Sequence, residues 1–488
     1  MIRALTALLL WLCLTPLAQA AMLQTDGAAV TQAIAAVQND PRAYAAAVAL
    51  SADQDSGSWD SPEAGIARWQ LQLTSAGARN LALRLRSLQL PAGASLSLIG
   101  SQDRQTLALG AAAHARVLPM VRGETLLLEA RMPSAARAGF AIAIDRLYHG
   151  FRGLGPEQSV VAKGYFGDAG HCNIDVVCSL ADNWRAEIRS VVLLTVPVSK
   201  GVLRCTGTLI NNSAQDDRAL VLTAHHCEID SSNVADTVAY FNVQKSVCGG
   251  SGDGPVSQYL YGSQVLAQSS SGDLTDLTLF ELASKPPGAF DAYYAGWDAR
   301  GSAPACGASI HHPSGDDKKI SFYASAAASD NVLVSNFRVD TWAVQWTRGT
   351  TEEGSSGAGL WSENHRLVGT LSGGSGACAS STSSSNNGGT DYYARLDRAL
   401  SLNGNLRNAL DAAGSGCSAI NGKQPGSAGP AVCASDSGGS CGLNGDTSVR
   451  AISVGGGGGG GAWDWRSLLV LMLLGVWHAV LCCRGRPD

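Results

Sequence analysis

Leu222-Thr223-Ala224-His225-His226-Cys227, with Cys205-Thr206-Gly207-Thr208-Leu209-Ile210 upstream, is the stretch that sets the fold. An apolar strand ending in Ala-His-Cys presents an imidazole at its end, and a bridge from Cys227 back to Cys205 locks the loop that holds it. A histidine pair alone is more often a surface or capping feature, so its weight comes from two later segments. Asp276-Leu277-Thr278-Leu279-Phe280-Glu281-Leu282 opens an apolar strand with a carboxylate. Gly354-Ser355-Ser356-Gly357 reads as a tight turn whose glycines bring the backbone close, expose Ser356 and aim the N–H groups of Gly354 and Ser356 at one point.

The order His226, Asp276, Ser356 is the chymotrypsin order of base, orienting acid and nucleophile. Around it the chain resembles the bacterial lysyl endopeptidases, within the trypsin-like serine peptidases, over about residues 164–412. The resemblance is carried by Cys172-Asn173-Ile174-Asp175-Val176-Val177-Cys178, the Leu-Thr-Ala-His-His-Cys string, Ala295-Gly296-Trp297-Asp298, Ile310-His311-His312-Pro313, Val344-Gln345-Trp346 and Gly354-Ser355-Ser356-Gly357. It implies an all-β fold, a chymotrypsin-like double six-stranded β-barrel, with bridges Cys172 to Cys378, Cys178 to Cys248 and Cys205 to Cys227. Cys306 is an addition, with Cys417 the nearest candidate partner.

By the same resemblance Ser356 attacks the scissile carbonyl, His226 relays its proton, Asp276 orients the imidazole, and the N–H groups of Gly354 and Ser356 form an oxyanion hole. His225 is then a neighbour rather than the base. The position six residues before Ser356, where mammalian trypsin keeps its pocket acid, is Thr350, whereas Asp391 in Thr390-Asp391-Tyr392-Tyr393-Ala394-Arg395 falls where the lysyl endopeptidases place theirs. A carboxylate in a low-dielectric slot favours a lysine ammonium. Ser372-Gly373-Gly374 is the substrate-pairing segment and stands where the family has His-Gly-Gly; Ser372 also steadies Asp276. Ala358-Gly359 replaces the family's Ser-Pro, and no Trp lies near Leu333. The histidines lack the spacing of a zinc helix, so neither metal nor cofactor is expected.

The 488 residues carry a net charge of −5, with 15% charged against a usual figure of about 25%, and 57 glycines. There is no basic excess to neutralise phosphates, which excludes a nucleic-acid partner. Thirteen cysteines fit an oxidising compartment. Residues 1–20 read as a signal peptide cut after Ala18-Gln19-Ala20, with signal peptidase as partner. Residues 21–163 contain no cysteine and read as a β-sandwich-like pro-domain. Its strands are Trp69-Gln70-Leu71-Gln72-Leu73, Leu81-Ala82-Leu83-Arg84-Leu85, Ser95-Leu96-Ser97-Leu98-Ile99 and Thr125-Leu126-Leu127-Leu128-Glu129, after an alanine-rich helix near residues 44–50.

Residues 164–413 form the peptidase domain, 414–461 a Gly/Ser linker with Cys417, Cys433 and Cys441, and 462–488 a membrane tail. In that tail, seven glycines (455–461) precede Trp463, Trp465, an apolar run over residues 467–483 and Arg484. Such a run spans about 25 Å as a helix, and the glycine-helix-arginine order resembles the GlyGly-CTERM sorting signal. That resemblance implies an inner-membrane-anchored intermediate, cleavage by a rhomboid-type protease, and passage to the cell surface or medium. Seven of the 35 basic residues are lysines, and one, Lys163, stands at the boundary between pro-domain and peptidase. The sequence thus predicts an exported serine endopeptidase acting on proteins or peptides after Lys. Two alternatives stay open: an Arg or Glu preference, or a non-catalytic surface binding module on a protease fold.

Overall fold

The computed structural model describes residues 20–107, 112–113, 116–152, 169–251, 253–270, 272–334, 337–378, 388–426 and 432–436. Most of the expected signal peptide, Lys163 and the glycine-rich tail lie outside these residues.

Period-two alternation builds the N-terminal part. Ile66–Thr74 buries every second residue, and Trp69, Leu71 and Leu73 are the buried set. Its sheet runs Ala21–Gln24, Ile66–Thr74, Thr125–Pro133, Ser95–Ile99, Arg104–Thr106. A second layer runs Val121–Arg122, Asn80–Gln89, Ala141–Gly150, Ala43–Asp53, and the two share one leucine-rich core that includes Leu83, Leu98, Leu128 and Leu147. Each fully buried leucine there is worth about 1.5–3 kcal/mol.

The alanine-rich segment is not a helix. Residues 44–50 lie inside the strand Ala43–Asp53, and the helix of this region is Gly27–Ala35, capped by Asp26 accepting from the Ala28 N–H at 3.0 Å. Helix propensity loses because Ala43–Asp53 is held by backbone pairing between Ala141–Gly150 and Gly201–Ile210. Ala45 and Ala46 are 1% and 0% exposed, and a Cβ on Gly201 would come within 2.2 Å of the Ala45 carbonyl oxygen.

Through that pairing the second layer runs directly into a closed six-stranded barrel. Its ring is Val191–Val198, Gly201–Ile210, Leu220–Thr223, Thr278–Leu282, Tyr259–Gln268, Val238–Phe241, closed because Gly201–Ile210 pairs with both Val191–Val198 and Leu220–Thr223. The second half is an antiparallel sheet ordered Ile174–Asp175, Lys319–Tyr323, Gly307–His311, Gly359–Ser362, Leu367–Gly374, Asp391–Arg395, Phe337–Val344, Ala328–Val334, and hydrogen bonds of Phe322 to Thr347 and Arg348, just past Phe337–Val344, join Lys319–Tyr323 back to that strand's end. Ile174–Asp175 takes the free edge of Lys319–Tyr323, held there by bridges from Cys172 and Cys178, while Ala328–Val334 forms a largely exposed outer edge. Trp184, Trp297 and Trp361 fill the core between the halves.

The bridges Cys172–Cys378, Cys178–Cys248 and Cys205–Cys227 are present. Cys417 pairs with Cys433 rather than with Cys306, and Cys306 is itself disulfide-bonded elsewhere. The described part of the expected linker is not loose chain. Ala419–Ile420 pairs with Trp297–Asp298, Ile420 is fully buried, and Lys423 bonds Asp217 at 2.7 Å, because this segment carries apolar side chains that the sheet edge can cover. No helix among the described residues is long and apolar enough to cross a membrane.

Candidate active site

The strand Leu220–Thr223 delivers His225, His226 and Cys227 on a short 3-10 turn, and the Cys205–Cys227 bridge ties that turn to the Gly201–Ile210 strand. Asp276, fully buried just before Thr278–Leu282, accepts from the His226 backbone N–H at 2.9 Å and faces His226 Nδ1 at 2.8 Å. Burial alone would raise its pKa, but the charge and hydrogen bond of His226, the nearby Ser372 hydroxyl and the His226 backbone N–H hold it below the ordinary carboxylate value. Ser372 adds to this lowering although its hydroxyl makes no hydrogen bond of normal geometry. The imidazole is only 12% exposed, which fixes one ring face and leaves Nε2 as the nitrogen not engaged by Asp276.

The turn bearing Ser356 is wedged between the two halves of the fold. Thr206 donates its N–H to the Ser356 carbonyl at 2.8 Å and its hydroxyl to the Gly354 carbonyl at 3.0 Å, while the Gly357 N–H donates to Leu371 at 2.9 Å. Two glycines are obligatory. Gly354 has φ +93° and a Cβ there would lie 2.7 Å from the Gly315 nitrogen; Gly357 has φ +83° and a Cβ would lie 2.1 Å from Thr223 Oγ1. Neither the Gly354 nor the Ser356 N–H donates to another described residue, so both remain available. Behind the turn, the Ser355 hydroxyl meets His311 Nδ1 at 2.8 Å, and His311 Nε2 meets Ser321 Oγ at 3.0 Å. Burial pushes His311 down to about 3, so this ring is a neutral strut.

A cavity of about 520 Å³ opens beside Ser356, with Asp391, Thr351, Gly374 and Gly376 among its lining residues. Asp391, 1% exposed, accepts from Trp346 Nε1 and Thr351 Oγ1 at 2.6 Å each and from the Gly376 N–H at 2.9 Å, and no cation pairs with it among the described residues. A Cβ at Gly374 would lie 2.1 Å from its Oδ1, so only glycine admits the carboxylate there. The cavity is therefore a slot with a buried carboxylate held by neutral donors.

Residues 166–394 match the family model of the lysyl endopeptidase C-terminal domain. A curated lysyl endopeptidase of Pseudomonas aeruginosa is 29% identical over 282 residues, covering 54% of this chain and 57% of that protein. The chain thus spans little more than half the length of the curated relative it matches. Among solved structures, a thermostable serine protease from an extremophilic microorganism is 13% identical, covering 46% of this chain and 98% of that one at a TM-score of 0.31. The protease Anisep from Arthrobacter nicotinovorans is 14% identical, covering 46% and 93% at the same TM-score of 0.31.

The fold brings His226, Asp276, Ser356, Asp391 and residues 372–374 into one region, and it adds residues that sequence reasoning passed over. Trp346 and Thr351 hold Asp391, and Phe337 stands edge-on to His225 at 6.1 Å. Less expected is the N-terminal part's hold on the site. Arg42 donates to the His226 carbonyl and pairs with Glu228 at 2.7 Å, Pro41 and Arg152 line the cavity beside Ser356, and the Arg204 N–H donates to the Arg42 carbonyl at 3.1 Å. The only advance signal was an Asp-Pro-Arg turn leading into an alanine run, which is too common to point anywhere by itself.

Proposed function

We propose that this protein is a serine endopeptidase that cuts peptide bonds after lysine and is made as a precursor whose N-terminal part covers the active site. The observation that carries this is the buried Asp276 gripping His226, next to Cys227, whose Sγ lies 3.7 Å from the Ser356 carbonyl oxygen in a turn where the Gly354 and Ser356 N–H groups have no partner among the described residues. Ser356 Oγ attacks the scissile carbonyl while His226 Nε2 takes its proton; Asp276 holds the tautomer and stabilises the resulting imidazolium. The Gly354 and Ser356 N–H groups receive the developing oxyanion, each such donor contributing about 3 kcal/mol. His226 then protonates the leaving amine, and water enters to hydrolyse the acyl-enzyme. No step calls for a metal or cofactor.

Lysine preference is supported by Asp391, a buried carboxylate at the cavity wall that lacks a cation. Removal of residues 21–163 by self-cleavage after Lys163 is supported by the grip of Pro41, Arg42 and Arg152 on the site. Four described disulfides favour an oxidising compartment. On sequence pattern, residues 1–20 direct export and residues 455–488 act as a sorting tail that a rhomboid-type protease removes. Fluorophosphonate labelling tests the activity: the processed protein takes up one adduct, at Ser356, and its absence refutes the proposal. N-terminal sequencing of secreted wild type and Ser356→Ala tests the maturation, since an identical start in both excludes self-processing.

A further inference from the structure

Arg204, on the Gly201–Ile210 strand next to Cys205, is 5% exposed, yet its Nε and Nη1 have no hydrogen-bond partner among the described residues. Its one described hydrogen bond from the guanidinium is a long one, Nη2 to the Pro41 carbonyl at 3.3 Å. Burial pushes its pKa down to about 10, as expected for a cation without a counter-ion in contact. It lines the same cavity as Ser356, and a Cβ built on Gly354 would lie 3.2 Å from its Nε, so the guanidinium reaches the edge of the nucleophile turn.

The nucleophile turn is held by two strands, through the Thr206 N–H to the Ser356 carbonyl and through the Gly357 N–H to the Leu371 carbonyl. One is Leu367–Gly374, whose end meets the Asp391 slot, where the residue before the cut sits in the proposed reaction. The other is Gly201–Ile210. At its start, residues 43–46 already lie antiparallel against residues 201–203, and the ladder continues through the Arg204 N–H to the Arg42 carbonyl. This stretch leads away from Ser356 along a strand edge that an extended peptide can fill by strand addition. The pro-segment gives Arg204 only a backbone carbonyl, leaving most of the guanidinium's hydrogen-bonding capacity unused.

Resting on the proposed peptidase reading, we infer that Arg204 is a specificity-determining residue for the leaving-group side of the substrate, selecting an acidic side chain in the first two positions after the cut. Once the Pro41 carbonyl leaves, Nε and Nη2 form one free edge of the guanidinium, which a carboxylate fits by a paired, charge-assisted contact. When residues 21–163 depart, Arg204 loses the Pro41 carbonyl and faces that part of the substrate directly.

The test uses the processed protein and fluorogenic peptides of the form Ala-Ala-Lys followed by two varied residues, comparing Asp or Glu with Ala and Lys there. Wild type cuts the acidic peptides with kcat/KM roughly five- to tenfold above the alanine peptide. Arg204→Gln brings that ratio to about one, and Arg204→Glu turns it in favour of Lys. Ratios taken within one variant are independent of how much of it is folded. Equal rates in wild type whatever follows the lysine overturn this inference alone, as does a pairing of Arg204 with the nearby Glu353 that leaves the Arg204→Gln ratio unchanged. A wild type that cuts no peptide and takes up no fluorophosphonate overturns the peptidase reading with it.

Discussion

Asp391 and Asp276 are two buried carboxylates in one site with opposite tasks, and their partners separate them. Asp276 is committed to His226 and is held in its charged form by that pairing. Asp391 is surrounded by neutral donors, so its charge is open to a substrate. Asp391→Asn is therefore expected to cut kcat/KM on lysine peptides by about a hundredfold or more, the order of losing a buried charge pair, with fluorophosphonate labelling of Ser356 retained; undiminished lysine cleavage assigns the slot elsewhere. Lys318 shows a third outcome of burial. Among the described residues its ammonium meets only the Ile188 carbonyl, at 2.8 Å, and burial pushes it down to about 7 from 10.5. Between these values the unfolded chain binds the proton and the folded one does not, so stability rises with pH across that window. Lys318→Met flattens this rise in denaturation midpoints measured from pH 7 to 10, and an unchanged slope contradicts the reading.

Pairing of the Ala43–Asp53 and Gly201–Ile210 strands joins the N-terminal part to the barrel, and in the proposed precursor it is what keeps the cover in place. It is an edge-to-edge contact that excludes a side chain at Gly201, where a Cβ would strike the Ala45 carbonyl at 2.2 Å. Gly201→Val is expected to open this seam, so that a chain blocked from processing by Lys163→Ala labels faster with fluorophosphonate than the same chain with Gly201. Equal labelling rates mean that the strand pairing does not guard Ser356. Cys205–Cys227 acts at the same scale but in the opposite sense, pinning the His226 turn to the strand that also holds the Ser356 turn. Losing such a bridge typically costs about 2–5 kcal/mol, and Cys205→Ala with Cys227→Ala should lower the melting midpoint and the labelling rate together.

On the scale of the whole molecule, the N-terminal part and the barrel share a continuous sheet, so the proposed precursor would be held by backbone hydrogen bonds rather than by a flexible plug. Cleavage alone does not break those bonds. The prediction is that a protein cut near residue 163 still holds its N-terminal part, and that release, read by size-exclusion chromatography, lags cutting, read by gel; simultaneous release and cutting count against it.

What the sequence determined by itself were the features that live in short strings: the alternating strands at residues 69–73, 81–85, 95–99 and 125–129, the His-His-Cys turn and the Gly-Ser-Ser-Gly turn. These are legible because period-two burial and glycine-dependent turns are local constraints. The helix expected over residues 44–50 failed because a run of alanines carries no periodicity, and its neighbours decided its conformation. The Cys306 and Cys417 pairing failed for a related reason, since only the docking of Ala419–Ile420 on Trp297–Asp298 brings Cys417 to Cys433. Arg204, Trp346, Thr351 and Arg42 take their parts from contacts forty or more residues distant in the chain. Local residue chemistry chose the elements; only tertiary packing, which sets what is buried beside what, decided which carboxylate binds the histidine, which stays open, and what stands over the site.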